Sequence, residues 1–295
     1  MKILCAGSLN IDRVYTVSHF VRAGETIASR GYGEVPGGKG LNQSVALARA
    51  GAEVWHAGKI GGDGAMLRNA LREAGVRDEF LRTGPTPTGH AVIQVDERGQ
   101  NSIIVEAGAN GALEQDELAE ALDAFGPGDL LLLQNEINLL PWLLREGRRR
   151  GLTVVLNPSP VTEGLKDCPL DCVDLFLLNE IEGALLSGTE EIAAIPQALL
   201  DKYPGAKVVL TLGSRGSLYY DGERIVRQAV FPVEAVDTTA AGDTFTGYFL
   251  AALAQNRPVE EALERASAAS ALAVTRKGAS VSIPTRAEVE AFLNR

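Results

Sequence analysis

The sequence predicts an α/β fold: a doubly wound, mostly parallel sheet with helices on both faces, plus a small second β-sheet. Two observations support this prediction. Short runs rich in Val, Ile and Leu alternate with segments of helical periodicity over most of the 295 residues. Two stretches, 13–35 and 88–106, interrupt the alternation with β-type runs and no helix. We therefore expect a single α/β domain over 1–295, with these two stretches forming a discontinuous small sheet inserted in it.

The predicted strands and helices follow from hydrophobic periodicity. Short apolar runs that fit buried strands are 3–9, 54–57, 130–134, 153–156, 175–178 and 208–212. Segments with apolar residues at every third or fourth position, which fit helices, are 41–50, 65–74, 118–125, 140–150, 181–186, 243–254 and 259–275. Because strands and helices alternate, the strands should pair in parallel and end at one edge of the sheet.

Several polar residues lie where predicted strands end. They are Asn10, Glu136, Asn157, Asn179 and Thr211. In open α/β sheets, ligands bind beyond the carboxyl ends of the strands. The sequence therefore predicts a ligand site at this edge.

Composition excludes several classes of protein. The net charge of −10 argues against a nucleic-acid partner. The longest apolar stretches, such as 130–133, are far too short to span a membrane, and the run 1–5 is too short for a signal peptide. Three cysteines without a metal-ligand pattern predict a reducing compartment, the cytoplasm, and no disulfide framework.

The most informative segment is 238–245, which reads Thr-Thr-Ala-Ala-Gly-Asp-Thr-Phe and precedes an amphipathic helix. A glycine-containing turn that begins a helix leaves backbone N–H groups unpaired, where the helix dipole also favours negative charge. Such a turn suits a phosphoryl group, and Asp243 beside it can take a proton from a hydroxyl that attacks phosphorus. The alternative is a plain helix start with Asp243 as a capping residue.

A second glycine cluster, 36–44, reads Pro-Gly-Gly-Lys-Gly-Leu-Asn-Gln-Ser and precedes another helix. Its glycines allow the chain to bend over a ligand, and Asn42 would lie in the first helical turn. The first strand is followed by Asn10 and Asp12, which alternate along the chain and point to one side. An amide and a carboxylate on one side suit a polyol. Neither a dinucleotide fingerprint nor a P-loop is present in the sequence.

Together these clusters resemble the ribokinase (PfkB) family of sugar and nucleoside kinases, over nearly the whole chain from Gly7 to about Pro284. The family has an N-terminal G-G-K/x-G-x-N signature, which stands here at 37–42, and a C-terminal D-T-x-G/A-A-G-D signature, which stands here at 237–243. Further segments similar to the ribose kinases of this family are 7–12, 107–110, 156–158, 211–216 and 273–278.

The resemblance implies a role for individual residues. Asp243 would be the catalytic base, and Ala240, Ala241 and Gly242 would form the anion hole with it. The residues implied to bind the sugar are Asn10, Asp12, Gly38, Lys39, Asn42, Ala91, Ile93, Val105 and Glu136. Those implied to bind ATP are Asn179, Thr211, Gly213 and Gly242.

The resemblance also implies two metal ions. Glu182 would order the water shell of Mg²⁺. From the residues alone, Asn179 and Glu182 also fit a helix capping box, and both interpretations can hold together. A K⁺ ion would lie beside the anion hole, and its implied ligands are Asp237, Thr239, Ala273, Arg276, Gly278 and Ser282.

By the same resemblance, the expected activity is an ATP-dependent transfer of the γ-phosphoryl group to a sugar hydroxyl, with ribose giving ribose 5-phosphate. A nucleoside kinase of the same family and a non-catalytic sugar-binding regulator are the alternatives. The stretches 13–35 and 88–106 would form a lid over the sugar and join two copies into a homodimer. Apolar residues expected at that interface are Val14, Val17, Val92, Ile104 and Val105.

Overall fold

The computed structural model describes residues 1–294 and confirms the predicted fold class. The strands are β1 (Ile3–Ala6), β2 (Asn10–Thr16), β3 (Gly31–Gly37), β4 (Val54–Ile60), β5 (Leu81–Thr83), β6 (Gly89–Val95), β7 (Asn101–Glu106), β8 (Leu130–Gln134), β9 (Thr153–Asn157), β10 (Leu175–Asn179), β11 (Lys207–Thr211), β12 (Ser217–Tyr220) and β13 (Ile225–Gln228). The α-helices are α1 (Lys39–Arg49), α2 (Ala65–Ala74), α3 (Gln115–Asp123), α4 (Leu140–Arg149), α5 (Glu180–Ser187), α6 (Ile195–Lys202), α7 (Ala241–Ala254), α8 (Val259–Val274) and α9 (Arg286–Leu293).

The larger sheet has the strand order β13-β12-β11-β10-β9-β8-β1-β4-β5. The strands from β11 to β5 pair in parallel, and β12 and β13 extend the sheet with antiparallel pairing. Alternate residues of β1 belong to opposite cores: Ile3 packs with the side of α1 and α7, and Leu4 with the side of α3 and α4. Helices therefore cover both faces, and within residues 1–294 none is long and apolar enough to cross a bilayer.

Some elements differ from the sequence-based expectation. Strand β1 ends at Ala6 rather than at residue 9, because the chain turns at Gly7 towards α1, where a Cβ on Gly7 would lie only 2.9 Å from the Cα of Gly40. The short strand β5, the hairpin β12–β13, and α6 and α9 were not predicted. Helix α6 has Pro196 in its first turn. Proline usually indicates the end of a helix, but it is tolerated in the first turn.

The smaller sheet has the order β3-β2-β6-β7, which confirms the second sheet of the predicted fold class. The register pairs Asp12 with Ala91, and Ala91 with Val105, so these three side chains share one face. Asn10 and Ile93 lie two residues along their strands and belong to the same face. The division of 1–295 into a main domain with this sheet as an inserted lid stays a prediction, and Arg295 lies outside the described residues.

Helices α1 and α7 pack unusually closely. A Cβ atom on Gly247 of α7 would overlap the Cβ of Ala46 and would lie 2.8 Å from the backbone nitrogen of Leu47. Glycine at this position therefore allows the two helix backbones to approach each other. The N-terminal turns of the two helices, with Asn42 and Asp243, are brought together by this contact.

We expect Gly247→Ala to lower the free energy of unfolding by about 1–3 kcal/mol, since the added methyl group must displace α1. Alanine's better helix propensity offsets only about 1 kcal/mol of that strain. Chemical denaturation measures the difference. Gly126→Ala is the matched control, because a Cβ there meets no atom within 4 Å. Equal stability of Gly247→Ala and the unsubstituted chain would contradict the close contact.

Candidate active site

The site lies at the carboxyl edge of the larger sheet, where α1 and α7 begin. A cleft of about 270 Å³ opens there. It is lined by Lys39, Asn157, Ser159, Leu177, Leu178, Asn179, Glu182, Thr211, Thr238, Ala240, Ala241, Gly242, Asp243 and Thr246. The structure thus brings the predicted anion-hole and base residues into one cleft with Asn179 and Thr211 of the predicted nucleotide residues, as expected for strand ends in a parallel sheet.

The turn before α7 has the geometry of an anion site. Ala240 adopts a left-handed conformation with φ 58°, which is uncommon for a residue with a Cβ. The N–H of Ala241 donates to the carbonyl of Thr238 at 3.2 Å, and that of Thr244 donates to Ala240 at 2.8 Å. The N–H groups of Gly242 and Asp243 have no acceptor among the described residues, and the helix dipole adds positive potential there.

Asp243 is a buried carboxylate held by two amides of α1. Asn42 Nδ2 donates to its Oδ2 at 3.1 Å, and Gln43 Nε2 donates to its Oδ1 at 2.8 Å. The simple capping interpretation of Asp243 fails, since the residue at the N-cap is Ala240 and no side chain caps the helix. Asn42 Oδ1 is buried without a partner in residues 1–294, so it remains free to accept a hydrogen bond from a ligand hydroxyl.

Asn110 fixes the side chain of Asn10, the first residue of β2, and the sequence analysis did not predict this role. Asn110 Nδ2 donates to Asn10 Oδ1 at 2.8 Å, and Asn110 also bonds both backbone groups of Leu9. A Cβ on Gly89 would lie 2.5 Å from Asn10 Oδ1, so glycine leaves room for this pair. With its oxygen engaged, Asn10 has its amide hydrogens available for a ligand oxygen.

A second turn brings Lys39 to the cleft. Gly38 has φ 92°, and a Cβ there would lie 2.9 Å from the backbone nitrogen of Asn10. This left-handed residue starts α1 directly at Lys39. The hydroxyl of Ser8 donates to Glu136 Oε2, and the N–H of Lys39 donates to the same oxygen at 3.3 Å. The sequence analysis did not identify Ser8.

The buried charges around Lys39 affect one another. Burial raises the pKa of Asp12 to about 7, and the negative charges of Glu136 and Asp243 add to the shift. Burial also raises the pKa of Glu136. For Lys39, burial opposes the ammonium form, but the carboxylates of Asp243, Glu136 and Glu182 outweigh it and raise its pKa. Lys39 is therefore the cation that balances this acidic pocket.

The positions of Asn179 and Glu182 are compatible with both interpretations of these residues, a helix capping box and a site for ATP and Mg²⁺. Asn179 Oδ1 accepts hydrogen bonds from the N–H groups of Ile181 and Glu182 at 2.9 Å, and Glu182 Oε2 accepts from the N–H of Asn179 at 3.0 Å. The pair forms a capping box, and both residues line the cleft. Thr211 lines it too, whereas Gly213, at φ 54°, begins a short turn outside the lining.

Two loops meet beside the anion site. Asp237 Oδ1 accepts from the N–H and hydroxyl of Thr239 at 2.9 and 2.6 Å, and its Oδ2 accepts from the N–H of Gly278 at 2.9 Å. The Arg276 guanidinium turns away to Glu288 at 2.7 Å, and the Ser282 hydroxyl donates to a backbone carbonyl. Within the described chain no three His, Cys, Asp or Glu side chains cluster as metal ligands. A cation here would need backbone oxygens.

Of the nine predicted sugar residues only Lys39 lines the cleft, and Ala91, Ile93 and Val105 lie on β6 and β7 of the smaller sheet. Ala91 is buried, Ile93 is half-buried, and Val105 is 56% exposed. They share a face with Asp12, whose pKa is raised in part by the negative charge of Asp243. Their contact with a sugar stays a prediction.

Gln43 and Gln134 are site residues that the sequence analysis missed. Gln134 Nε2 donates to Gln43 Oε1 at 2.7 Å, and Gln43 in turn bonds Asp243. A signal was available, because Gln134 is the polar residue that ends a strand of four leucines. Buried polar residues in such a strand need partners.

Comparison with known proteins gives consistent matches. The family model for the pfkB family of carbohydrate kinases matches residues 1–286. The ribokinase of Haemophilus influenzae is 38% identical over 298 residues, covering 97% of this chain and 96% of the relative. The Arabidopsis thaliana ribokinase complexed with ribose and ATP has a TM-score of 0.87 and 33% identity, covering 100% of this chain and 98% of that one. The Cryptococcus neoformans ribokinase complexed with ADP has a TM-score of 0.85 and 34% identity, covering 98% and 99%.

We expect Asp12→Asn to change how stability depends on pH. In the folded chain Asp12 retains its proton up to a pKa of about 7, whereas the ordinary pKa of an aspartate is 3.8. The folded state therefore binds more protons between these values, and the free energy of unfolding falls as pH rises through that window. The variant lacks this loss, so its stability relative to the unsubstituted chain should rise by on the order of 2–4 kcal/mol from pH 4 to pH 7.

Urea denaturation across this pH range measures the difference. Asp201→Asn is the control, because Asp201 is exposed on α6. Its curve should run parallel to that of the unsubstituted chain. A parallel curve for Asp12→Asn as well would show that Asp12 is not held protonated.

Proposed function

The chain belongs to the pfkB family of carbohydrate kinases, and on that premise we propose that it transfers the γ-phosphoryl group of ATP to ribose, giving ribose 5-phosphate. One observation supports this most directly. Asp243 is a buried carboxylate held by two amides, directly beside unpaired N–H groups at the start of α7. A base next to an anion site is what phosphoryl transfer to a hydroxyl requires.

The residues of the site have separate proposed roles in the reaction. Asp243 takes the proton of the attacking hydroxyl, while the unpaired N–H groups of Gly242 and Asp243 in the turn 240–243 and the Lys39 ammonium stabilise negative charge on the transferred group. Asn10, Asp12, Asn42 and Glu136 offer donors and acceptors for adjacent sugar hydroxyls. The remaining proposed sugar residues are Gly38, Ala91, Ile93 and Val105, and the proposed nucleotide residues are Asn179, Thr211, Gly213 and Gly242.

The acceptor is proposed to be a neutral sugar. The carboxylates of Glu136 and Asp243 would repel an added phosphate. Arg13 on β2 and Arg30 just before β3, which could have bound one, are already paired with Glu34 and Glu97. The nucleoside kinase and the non-catalytic regulator are not favoured, because the ribokinases of Haemophilus influenzae and Bacillus subtilis match nearly the whole chain at 38% and 37% identity.

Magnesium is proposed to accompany ATP. When bound, it supplies positive charge beside the phosphates. Glu182 is 9% exposed and lines the cleft beside Asn179, so its carboxylate can accept hydrogen bonds from waters of the ion. Few direct ligands are needed, which fits the lack of a carboxylate cluster among residues 1–294.

The smaller sheet is proposed to act as a lid and as a dimer interface. On β7, the side chains of Ile103, Ile104 and Val105 are 51%, 66% and 56% exposed. β3 and β7 are open edges, which native proteins usually cover. Val17 does not contribute as expected, since it is 4% exposed within its own chain. A strictly monomeric mass by light scattering at micromolar concentration would rule out the dimer.

The cytoplasm is the proposed compartment. Cys5, Cys168 and Cys172 are all free thiols, as expected where thiols stay reduced and ATP is available. Cell fractionation that placed the protein outside the cytoplasm would refute this.

We expect turnover to depend on a large monovalent cation. The proposed ligands of K⁺ are Asp237, Thr239, Ala273, Arg276, Gly278 and Ser282. Asp237 already joins the two loops through Thr239 and Gly278, and Arg49 of α1 donates to the carbonyls of Ser280 and Ile283 at 2.9 and 2.5 Å. An ion in these loops should therefore stiffen the anion site. Turnover is measured in Tris with magnesium, then with added potassium or sodium. Identical rates in all three buffers would count against the cation site but not against the kinase.

We expect Asp243→Asn to lower kcat by about 10²–10⁴ while the dissociation constant for ribose changes little, since only the base is lost. The assay measures ADP release with ribose, deoxyribose, fructose 6-phosphate and adenosine. Asp201→Asn, far along the chain and exposed, is the matched control and should keep full turnover. Near-normal turnover of Asp243→Asn would contradict its role as base.

A preference of the unsubstituted chain for adenosine or fructose 6-phosphate over ribose would refute ribose as acceptor.

A further inference from the structure

Gln134 is a buried amide whose presence packing alone does not explain. It ends β8 after four leucines and is 0% exposed. Its Nε2 donates to Gln43 Oε1 at 2.7 Å and lies 3.6 Å from the sulfur of Cys5. Its Oε1 has no hydrogen-bond partner in residues 1–294. A buried carbonyl without a partner is costly, and a leucine would avoid that cost. The donor end of Gln134 therefore needs a reason to be kept.

That reason lies in the orientation of Gln43. Because Gln134 occupies Gln43 Oε1, the Gln43 NH₂ group must point the other way, towards Asp243 Oδ1 at 2.8 Å and Asn157 Oδ1 at 3.1 Å. Asn157 is itself oriented, since its Nδ2 donates to the carbonyl of Leu177 at 2.8 Å. Both ends of the Gln43 amide are thus determined by fixed partners.

We propose that Gln134 is a positioning residue, which orients the Gln43 amide so that a hydrogen-bond donor always faces the carboxylate of Asp243. The inference rests on the proposed function, in which Asp243 is the base. A donor held on the carboxylate fixes its plane. If the Gln43 amide turned over, its oxygen would face an oxygen of Asp243 and the two acceptors would repel each other.

The other charged and titratable groups around Asp243 come from four elements. Lys39 lies on α1, Asp12 on β2, Glu136 follows β8, and Cys5 lies on β1. Glu182 on α5 acts on Lys39. Burial raises the pKa of Cys5 to about 11, so its thiol stays neutral over the useful pH range. Gln134→Met and Cys5→Ala leave these charged groups unchanged, whereas Gln134→Glu adds a carboxylate.

The test compares kcat and the KM for ribose in four chains: the unsubstituted one, Gln134→Met, Gln134→Glu and Cys5→Ala. In Gln134→Met the Gln43 oxygen loses its donor, while the Gln43 NH₂ group keeps Asp243 and Asn157 as acceptors, so kcat should fall about 10-fold. In Gln134→Glu an acceptor faces the Gln43 oxygen and favours the turned-over amide, so the loss should reach about 100-fold. KM for ribose should change less than about 3-fold in both, since neither contacts the sugar.

Cys5→Ala is the matched control, because Cys5 is equally buried and contacts Gln134 but not Gln43. Its kcat should be that of the unsubstituted chain. If its kcat fell as far as that of Gln134→Met, looseness of the core would explain both losses and the proposal would be wrong. An unchanged kcat in both Gln134 variants would also overturn it.

A different result would identify failure of the proposed function. If the unsubstituted chain released no ADP with any sugar, the kinase assignment would fail while the orientation of Gln43 could still be tested. The readout is then the exchange protection of the Gln43 side-chain NH₂ protons, whose signals are assigned by their loss in Gln43→Leu. Protection should fall in Gln134→Met and fall further in Gln134→Glu, and equal protection in all chains would refute the proposal.

Discussion

The close packing of α1 against α7 is the contact on which the site depends. Gly247 lacks a side chain where Ala46 approaches, and this lets the first turns of both helices meet at one edge of the sheet. Asn42 and Gln43 thereby reach Asp243, which lies about 200 positions further along the chain. Since α1 also begins with Lys39, one helix contributes both the cation of the pocket and the amides that hold its base. A small shift of this helix would disturb both at once.

The pocket is an electrostatic compromise. Three carboxylates close together would repel one another if all were ionised, and burial adds to that cost. The pKa of Asp12 is raised to about 7, so this carboxyl group holds a proton up to near-neutral pH. The ammonium group of Lys39 balances the negative charge of the other carboxylates. Hydrogen bonds also help, since Ser8 and the backbone of Lys39 both donate to Glu136. The free chain thus keeps polar groups ready for hydroxyls at the expense of stability, as is common at functional sites.

Much of the fold was predictable because it depends on local patterns. Alternating strands and helices gave the sheet class, and the glycine clusters at 36–44 and 238–245 marked the two turns that begin α1 and α7. Gln43 and Gln134 were not predicted, since their bond joins residues 91 positions apart and only the folded sheet brings them together. The hairpin β12–β13 was missed for a similar reason: its strands are short, and β11 supports them. Asn42 was placed in the right turn, but its bond to Asp243 was not foreseen.

The register of the smaller sheet has a consequence for how such a protein can diverge. Asn10, Asp12, Ala91, Ile93 and Val105 occupy one face, and the residues between them occupy the other. Because neighbouring positions point to opposite sides, a substitution on one face leaves the other face nearly unchanged. Selection could therefore alter which small molecule is accepted while leaving Val92 and Ile104 on the reverse face unchanged. A change of Val105, which is proposed for both roles, would affect the two together.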